Sequence, residues 1–257
     1  DRAGDWRWQA AFYQGKNAAI SSSGQPVAYI HGKSGTLQIS ASDKQGRDFR
    51  AASRGRLRYV GEHYLRHAGT NPDQPNGAWF IKAGADAVEN TLSYQNFANT
   101  PNRNNLRKSW GPHAADFDPY QATQYTWAAG KGKNLLGMLR YLASQGLNAF
   151  SFLTFSLGGD DQNVFPHLLK VPLAAYDSLE ASKQWEQGVW HDRYDCARLD
   201  QWERIFRYAD QLGLYLHFKL AEEENEALKD GGALGPERKL YYRELIARFG
   251  HHLALNW

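Results

Sequence analysis

Three times in the second half of the chain an apolar helical pattern stops at a glycine and a strand pattern begins at once. Over 131–145, Leu135, Leu139 and Leu142 share one helical face, flanked by Leu136 and Met138. Gly146 follows, then the dense apolar run 148–157 (NAFSFLTFSL). Over 195–212, Leu199, Trp202, Ile205, Phe206, Ala209 and Leu212 recur three or four apart. Gly213 follows, then 214–220 (LYLHFKL). Pro236 opens a third helix whose apolar face is Leu240, Leu245, Ile246 and Phe249; Gly250 follows, and a strand begins near Leu253. Strands alternating with helices imply parallel βαβ units. With one more strand read over 79–83, four parallel strands are expected. A complete eight-stranded barrel takes about 250 residues by itself, more than the second part of this chain supplies. The expected fold class is therefore α/β, with the first four or so strands of a (β/α)8 TIM barrel. A four-stranded open sheet is the alternative.

The first 76 residues read differently. Short alternating runs at 6–13, 27–30, 36–39 and 57–60 are separated by Gly, Ser and Asn clusters, the pattern of antiparallel hairpins. A complete sandwich needs about 100 residues, so this stretch is expected to be a partial antiparallel β-sandwich module, or a small sheet. Residues 71–77 (NPDQPNG) have no periodicity and read as the boundary. The expected domains are 1–76 and 77–257.

Totals exclude several classes. The net charge of +3 is small and dispersed, which argues against nucleic acid as a partner. No apolar run is long enough to span a bilayer, so no membrane insertion is expected. The single cysteine, Cys196, cannot form an internal disulfide. Aromatic residues make up 14% of the chain, including nine Trp. Trp and Tyr meet the apolar faces and hydroxyl edges of sugars together, which gives a slight lean toward carbohydrate.

The strand at 214–220 places Leu214, Leu216, Phe218 and Leu220 on one face and Tyr215, His217 and Lys219 on the other. Buried parallel strands usually have two apolar faces, so a polar second face points to the inside of a barrel or a cleft beside one. Ligands bind at the C-terminal ends of such strands. Acids and amides cluster there: Asp86, Glu89 and Asn90; Asp160 and Asp161; Glu222, Glu224 and Asn225. Taken singly, each serves equally well as a helix cap, a surface ion pair or a solvated loop residue. Together with His217 they suggest a substrate surface, and two carboxylates across a cleft can divide the work of glycoside cleavage. The long aperiodic connection after Gly158 carries Trp185 and Trp190, candidate stacking platforms, and Trp257 lies at the last strand.

Other motifs are set aside. Gly130, Gly132 and Gly137 match neither nucleotide fingerprint, and no strand precedes them. His251 and His252 lack the helical spacing and the carboxylate of a zinc-protease motif, and are expected to orient or pack at a strand start. Cys196 has no CxxC partner, and no nucleophile elbow is present. No metal or cofactor is expected.

The segments GRLRYVGEHYLRHAGT and FIKAGADAVEN, followed by GKGKNLLGMLRYLASQGLNAFSFLTFSLGGD and GPERKLYYRELIARFGHHLALNW, resemble a family of secreted bacterial proteins. In these a β-sandwich of the DUF5060 type precedes a glycoside-hydrolase-like TIM barrel. The resemblance implies a fragment of an exported, polysaccharide-active glycoside hydrolase, secreted or periplasmic. It implies that earlier sandwich strands precede DRAGDWRW. It also puts the acid/base glutamate at the end of the fourth strand, just past Trp257, so this fragment alone is expected to be inactive. Glu222 and Glu224, one strand earlier, then become substrate-binding or supporting groups. Two departures stand out. Ala87–Val88 replaces Ser-Pro before the Glu-Asn pair, and Asn96–Phe97–Ala98 stands where an aspartate-rich DFD is common. The alternatives are a non-catalytic carbohydrate-binding protein and a polysaccharide lyase, which would need a Tyr or His base and a group neutralising a uronate carboxylate.

Overall fold

The structure is a computed structural model that describes residues 3–21, 23–61, 63–71, 73–86, 90–159 and 162–257. It opens with β1 (Gly4–Gln9), β2 (Tyr13–Gln14), β3 (Gln25–Pro26) and β4 (Ser34–Ile39). β1 pairs antiparallel with β4, and β2 with β3, as two separate ribbons. Every residue of β1 is exposed, so no second sheet covers it. Gly35 lies opposite Trp8, and an added Cβ there would sit 2.9 Å from the indole ring. Then come β5 (Leu57–Tyr59), β6 (Leu65–His67) and β7 (Trp79–Phe80), a three-stranded antiparallel sheet. The first 76 residues thus form small antiparallel sheets, with no pair of facing sheets among the described residues.

Two expectations change here. Trp79–Phe80 is not the first parallel strand: it pairs antiparallel with β6, Leu65 opposite Phe80. Residues 71–77 connect two strands of that one sheet, with the Gly77 amide donating to the His67 carbonyl at 3.1 Å. The boundary read at residue 76 therefore falls within a sheet. That sheet packs Leu57, Leu65 and Phe80, together with Phe49, against Ala149, Tyr215 and Ala254.

The parallel sheet consists of β8 (Gly84–Ala85), β9 (Ala149–Leu153), β12 (Tyr215–Lys219) and β13 (Leu255–Asn256), in the order β13-β12-β9-β8. Each strand lies beside its parallel predecessor, which is how successive βαβ units wind in one direction. Gly84 is required at the start: a Cβ there would collide with the Ala149 carbonyl. Between β8 and β9 lie the short α1 (Pro119–Ala122) and α2 (Lys133–Ser144). α2 buries Leu135, Leu136, Met138, Leu139 and Leu142, the face the spacing predicts.

The connection from β9 to β12 is folded, not irregular. β10 (His167–Leu169) pairs antiparallel with β11 (Val189–Tyr194), α3 (Leu173–Asp177) lies between them, and α4 (Cys196–Leu212) follows. Asp195 caps α4 through the Arg198 amide at 3.1 Å. The buried Arg198 guanidinium donates to the carbonyls of Ala98 at 2.9 Å, Asn99 at 2.6 Å, and Phe165. Burial pulls it down to about 10, so it stays charged at neutral pH. This side chain fastens α4 to two loops distant in sequence.

α5 (Pro236–Phe249) leads to β13. Its buried face is Tyr241, Leu245 and Phe249; Leu240 is half-buried and Ile246 exposed, against the expected set. The rows 241, 245 and 249 follow a strict four-residue step, and Tyr241 wins the core position because its hydroxyl donates to the Leu220 carbonyl at 2.7 Å. The three glycines also differ. Gly146 (φ +83°) and Gly213 (φ +68°) are left-handed caps, whereas Gly250 (φ −66°) remains right-handed.

Gly213 carries both a left-handed backbone and a close approach, since an added Cβ would collide with the Arg47 carbonyl. Gly213→Ala is expected to lose about 1–3 kcal/mol of stability, read as a lower urea midpoint. Gly158→Ala, where an added methyl meets nothing within 4 Å, should shift it by a few tenths at most.

Candidate functional site

Alternation along β9 and β12 gives the parallel sheet two chemically distinct faces. Phe150, Phe152, Leu216 and Phe218 pack toward the helices. Ala149, Ser151 and Leu153 on β9, and Tyr215, His217 and Lys219 on β12, take the other face. On that face the layers run from apolar to polar along the strands. At the N-terminal ends, Ala149 and Tyr215 meet Phe80, whose ring lies 5.7 Å from that of Tyr215. One step further Ser151, His217 and Asn256 stand in register across three strands. The next step brings Lys219.

Ser151 Oγ lies 2.8 Å from His217 Nδ1, and Lys219 Nζ lies 3.0 Å from Asp86 Oδ1. Hydrogen bonds from Lys219 and then Ser151 hold the Asp86 carboxyl below its usual range, although that side chain is largely exposed. His217 is pushed below the ordinary imidazole value, first by burial and then by the charges of Lys82 and Lys219, against the opposing pull of Asp86. These residues surround a cavity of about 300 Å³ lined by Lys82, Gly84, Ala85, Asp86, Ala149, Phe150, Ser151 and His217. It therefore offers a hydroxyl, a neutral imidazole and the Lys82 ammonium beside one carboxylate, which Lys219 pairs. The carboxylate contacts the serine and the lysine and not the imidazole, so the set is not ordered as a Ser-His-Asp relay. It suits recognition of hydroxyl or carboxylate groups.

The structure brings Asp86 and His217 together and scatters the other candidates. Glu222 and Glu224 lie over the turn at Gly159, where an added Cβ would be 2.7 Å from Glu224 Oε2 and 3.0 Å from Glu222 Cγ. Asn225 is buried and ties that turn, accepting from the Leu157 and Gly158 amides at 3.0 and 3.1 Å and donating to the Gly158 carbonyl at 3.0 Å. Asn90 is also buried, its carbonyl accepting from the Ser93 amide at 2.9 Å. Trp185 is a core residue and not a platform: His191 stacks on it at 4.1 Å, and Phe155 and His167 meet it edge-on. Trp190 and Trp257 are each 39% exposed. Lys170 and Arg193 flank the Trp190 ring, while Trp257 packs on Phe218 at 4.6 Å. Glu89, Asp160 and Asp161 lie outside the described residues.

Ser151 and Lys82 line the cavity, and Lys219 pairs with Asp86 beside it; none of the three was among the sequence candidates. Lys219 stood on the polar face of its strand and could have been read from the alternation. Ser151 becomes visible only once β9 is set in register with β12.

No family model matches the sequence, and no curated protein matches it. Among solved structures, a crystal structure of a "putative glycoside hydrolase" from Bacteroides vulgatus matches over 100% of this chain, at 14% identity and a TM-score of 0.50. The fold has a glycoside-hydrolase-like neighbour. At that identity the likeness concerns the fold alone, and the chain spans 38% of the neighbour's length. The DUF5060 resemblance thus rests on the segments quoted above.

The charges around His217 set a test by nuclear magnetic resonance. Its imidazole should titrate below about 6.5. Lys219→Met should raise that value and Asp86→Asn lower it further, because each removes a named charge. Unchanged values in both variants would show that these groups do not share one site.

Proposed function

We propose that this chain forms the substrate-facing part of an exported glycoside hydrolase acting on a polysaccharide, with the polar face of the parallel sheet as the inside of a (β/α)8 barrel. The observation that carries the reading is the sequential parallel sheet whose inner face turns from Phe80, Ala149 and Tyr215 to Ser151, His217, Lys219 and Asp86. A barrel interior is plugged at the N-terminal ends of its strands and binds at the C-terminal ends. The fold neighbour supports the same class.

In this reading Asp86 and His217 position sugar hydroxyls, and Trp190 offers a partly exposed ring for stacking. Asp86, held by Lys219, is an acceptor and not a proton donor. The acid/base glutamate follows the fourth strand, past Trp257, as the family resemblance implies. Hydrolysis needs two carboxylates, and the resemblance puts neither among the site residues of this chain, so this chain is expected to bind glycan without cleaving it.

A second reading draws on one feature of the same cavity. A neutral His217 beside Lys82 and Lys219 combines a base with cations able to neutralise a uronate, the requirement for a polysaccharide lyase. Products absorbing in the ultraviolet, from a longer polypeptide on uronate polymers, would favour that chemistry.

The test is titration of soluble polysaccharides by calorimetry and affinity electrophoresis. At least one glycan should bind, and His217→Ala and Asp86→Asn should each weaken it about five- to tenfold, the worth of one good hydrogen bond to a charged or buried group. Binding unchanged in both variants, or no binding across neutral and acidic glycans, would overturn the proposal. Reducing-sugar release by this chain alone would overturn the placement of the acid/base group.

A further inference from the structure

Outside the Asp86–His217 cavity, α4 and the segment leading into β13 bring three metal-ligating side chains together. Glu203 comes from α4, and His251 and His252 follow the end of α5. His251 Nε2 lies 3.2 Å from Glu203 Oε1, and His252 Nε2 lies 3.2 Å from Glu203 Oε2. The three ligand atoms fall within 4.8 Å of one another. Adjacent histidines have no helical spacing, but here both rings turn the same way, with centroids 4.3 Å apart. The missing carboxylate is supplied by a different helix.

We propose that Glu203, His251 and His252 bind a divalent transition-metal ion of the zinc class. Nitrogen and carboxylate ligands suit zinc, whose bonds to them are about 2.0–2.2 Å long. Tetrahedral ligands at that length stand about 3.3 Å apart; each histidine Nε2 already stands near that distance from one Glu203 oxygen, His251 from Oε1 and His252 from Oε2, and the exposed His251 ring would close the remaining gap. The second observation is the support behind His252. Asp210 Oδ2 lies 2.6 Å from its Nδ1 and is buried with it. A carboxylate accepting from Nδ1 fixes the tautomer that leaves the Nε2 lone pair for a metal, the arrangement found behind most metal-binding histidines. Access is open as well: His251 and Asp210 line a cavity of about 800 Å³ between α4 and the antiparallel region. A proton on His252 shared with the two carboxylates would satisfy the same groups without a metal, and that is the competing account. Metal bound here would tie α4 to the entry of β13, outside the Asp86–His217 cavity. The proposal does not depend on the carbohydrate reading.

The experiment uses the whole chain, stripped with a chelator and titrated with Zn²⁺ by calorimetry, and with Co²⁺ by visible absorbance. One ion per chain should bind, Co²⁺ should give the strong bands of a four-coordinate site, and Zn²⁺ should raise the melting temperature. His251→Ala and Glu203→Gln should each weaken binding about tenfold or more and abolish the thermal shift. His251 is 58% exposed on its side chain, so its removal should leave the fold intact by circular dichroism. His113→Ala, at a histidine paired with Asp116 elsewhere, should bind as the parent does. No saturable binding below about 1 mM, or equal binding in the parent and both site variants, would show a proton-mediated charge network only and overturn the proposal.

Discussion

Phe152 sits at the meeting point of the sheet and its helices, and the division of labour in the fold follows from it. Its ring contacts Phe218 at 4.7 Å, Phe206 at 5.0 Å and Phe150 at 5.1 Å. Phe206 in turn meets Phe249 at 5.0 Å. One interlocked set of rings therefore joins β9, β12, α4 and α5. Burying a large side chain of this kind contributes roughly 1.5–3 kcal/mol, so the set outweighs any single polar contact in the domain. Strand alternation then leaves no choice for the other face. If Phe150, Phe152, Leu216 and Phe218 point to the helices, Ser151, His217 and Lys219 must point away. The polar cavity is the geometric complement of the aromatic core.

Arg198 solves a different problem. The connection between β9 and α4 leaves the sheet, forms its own hairpin and returns, and such an excursion exposes main-chain groups that need partners. A buried guanidinium with donors in a rigid fork answers three carbonyls from two loops at once. An isolated buried charge would be costly, but here hydrogen bonds occupy it and Asp195 lies on the same helical turn. Lysine could not replace this function, because its donors radiate from one point.

The parts of this fold that were legible in the sequence are those in which one local rule acts alone. The apolar faces of α2 and α4 obeyed helical spacing, and the 214–220 strand obeyed alternation. The glycine caps at 146 and 213 marked real left-handed turns. The failures are places where two rules compete or where the deciding partner is distant. Two residues, Trp79 and Phe80, cannot signal parallel or antiparallel pairing; β6 decides it. Trp185 in an aperiodic stretch resembled a surface platform, yet the hairpin of β10 and β11 folds over it. On α5 a tyrosine displaced leucine from the core because a carbonyl was waiting for its hydroxyl. The candidate site was legible in one strand, through His217, and illegible in the register that sets Ser151 beside it.

The two histidine-containing clusters show why residue type alone assigns no role. His217 sits beside a hydroxyl, with lysines nearby, and burial and those charges both favour its neutral form. His252 is more deeply buried, yet its partners are two carboxylates, and their pull outweighs burial and raises it to about 9. Burial acts in the same direction on both rings; the sign of the neighbouring charge separates them. A neutral imidazole midway along β12, facing the cavity, can exchange hydrogen bonds with a ligand. An imidazole fixed between carboxylates at the N-terminal ends is a structural joint, where a proton and a metal ion compete for the same lone pair. Binding chemistry and stability thus draw on the same residue type in two separate clusters, and the sign of the neighbouring charge decides which role each histidine takes.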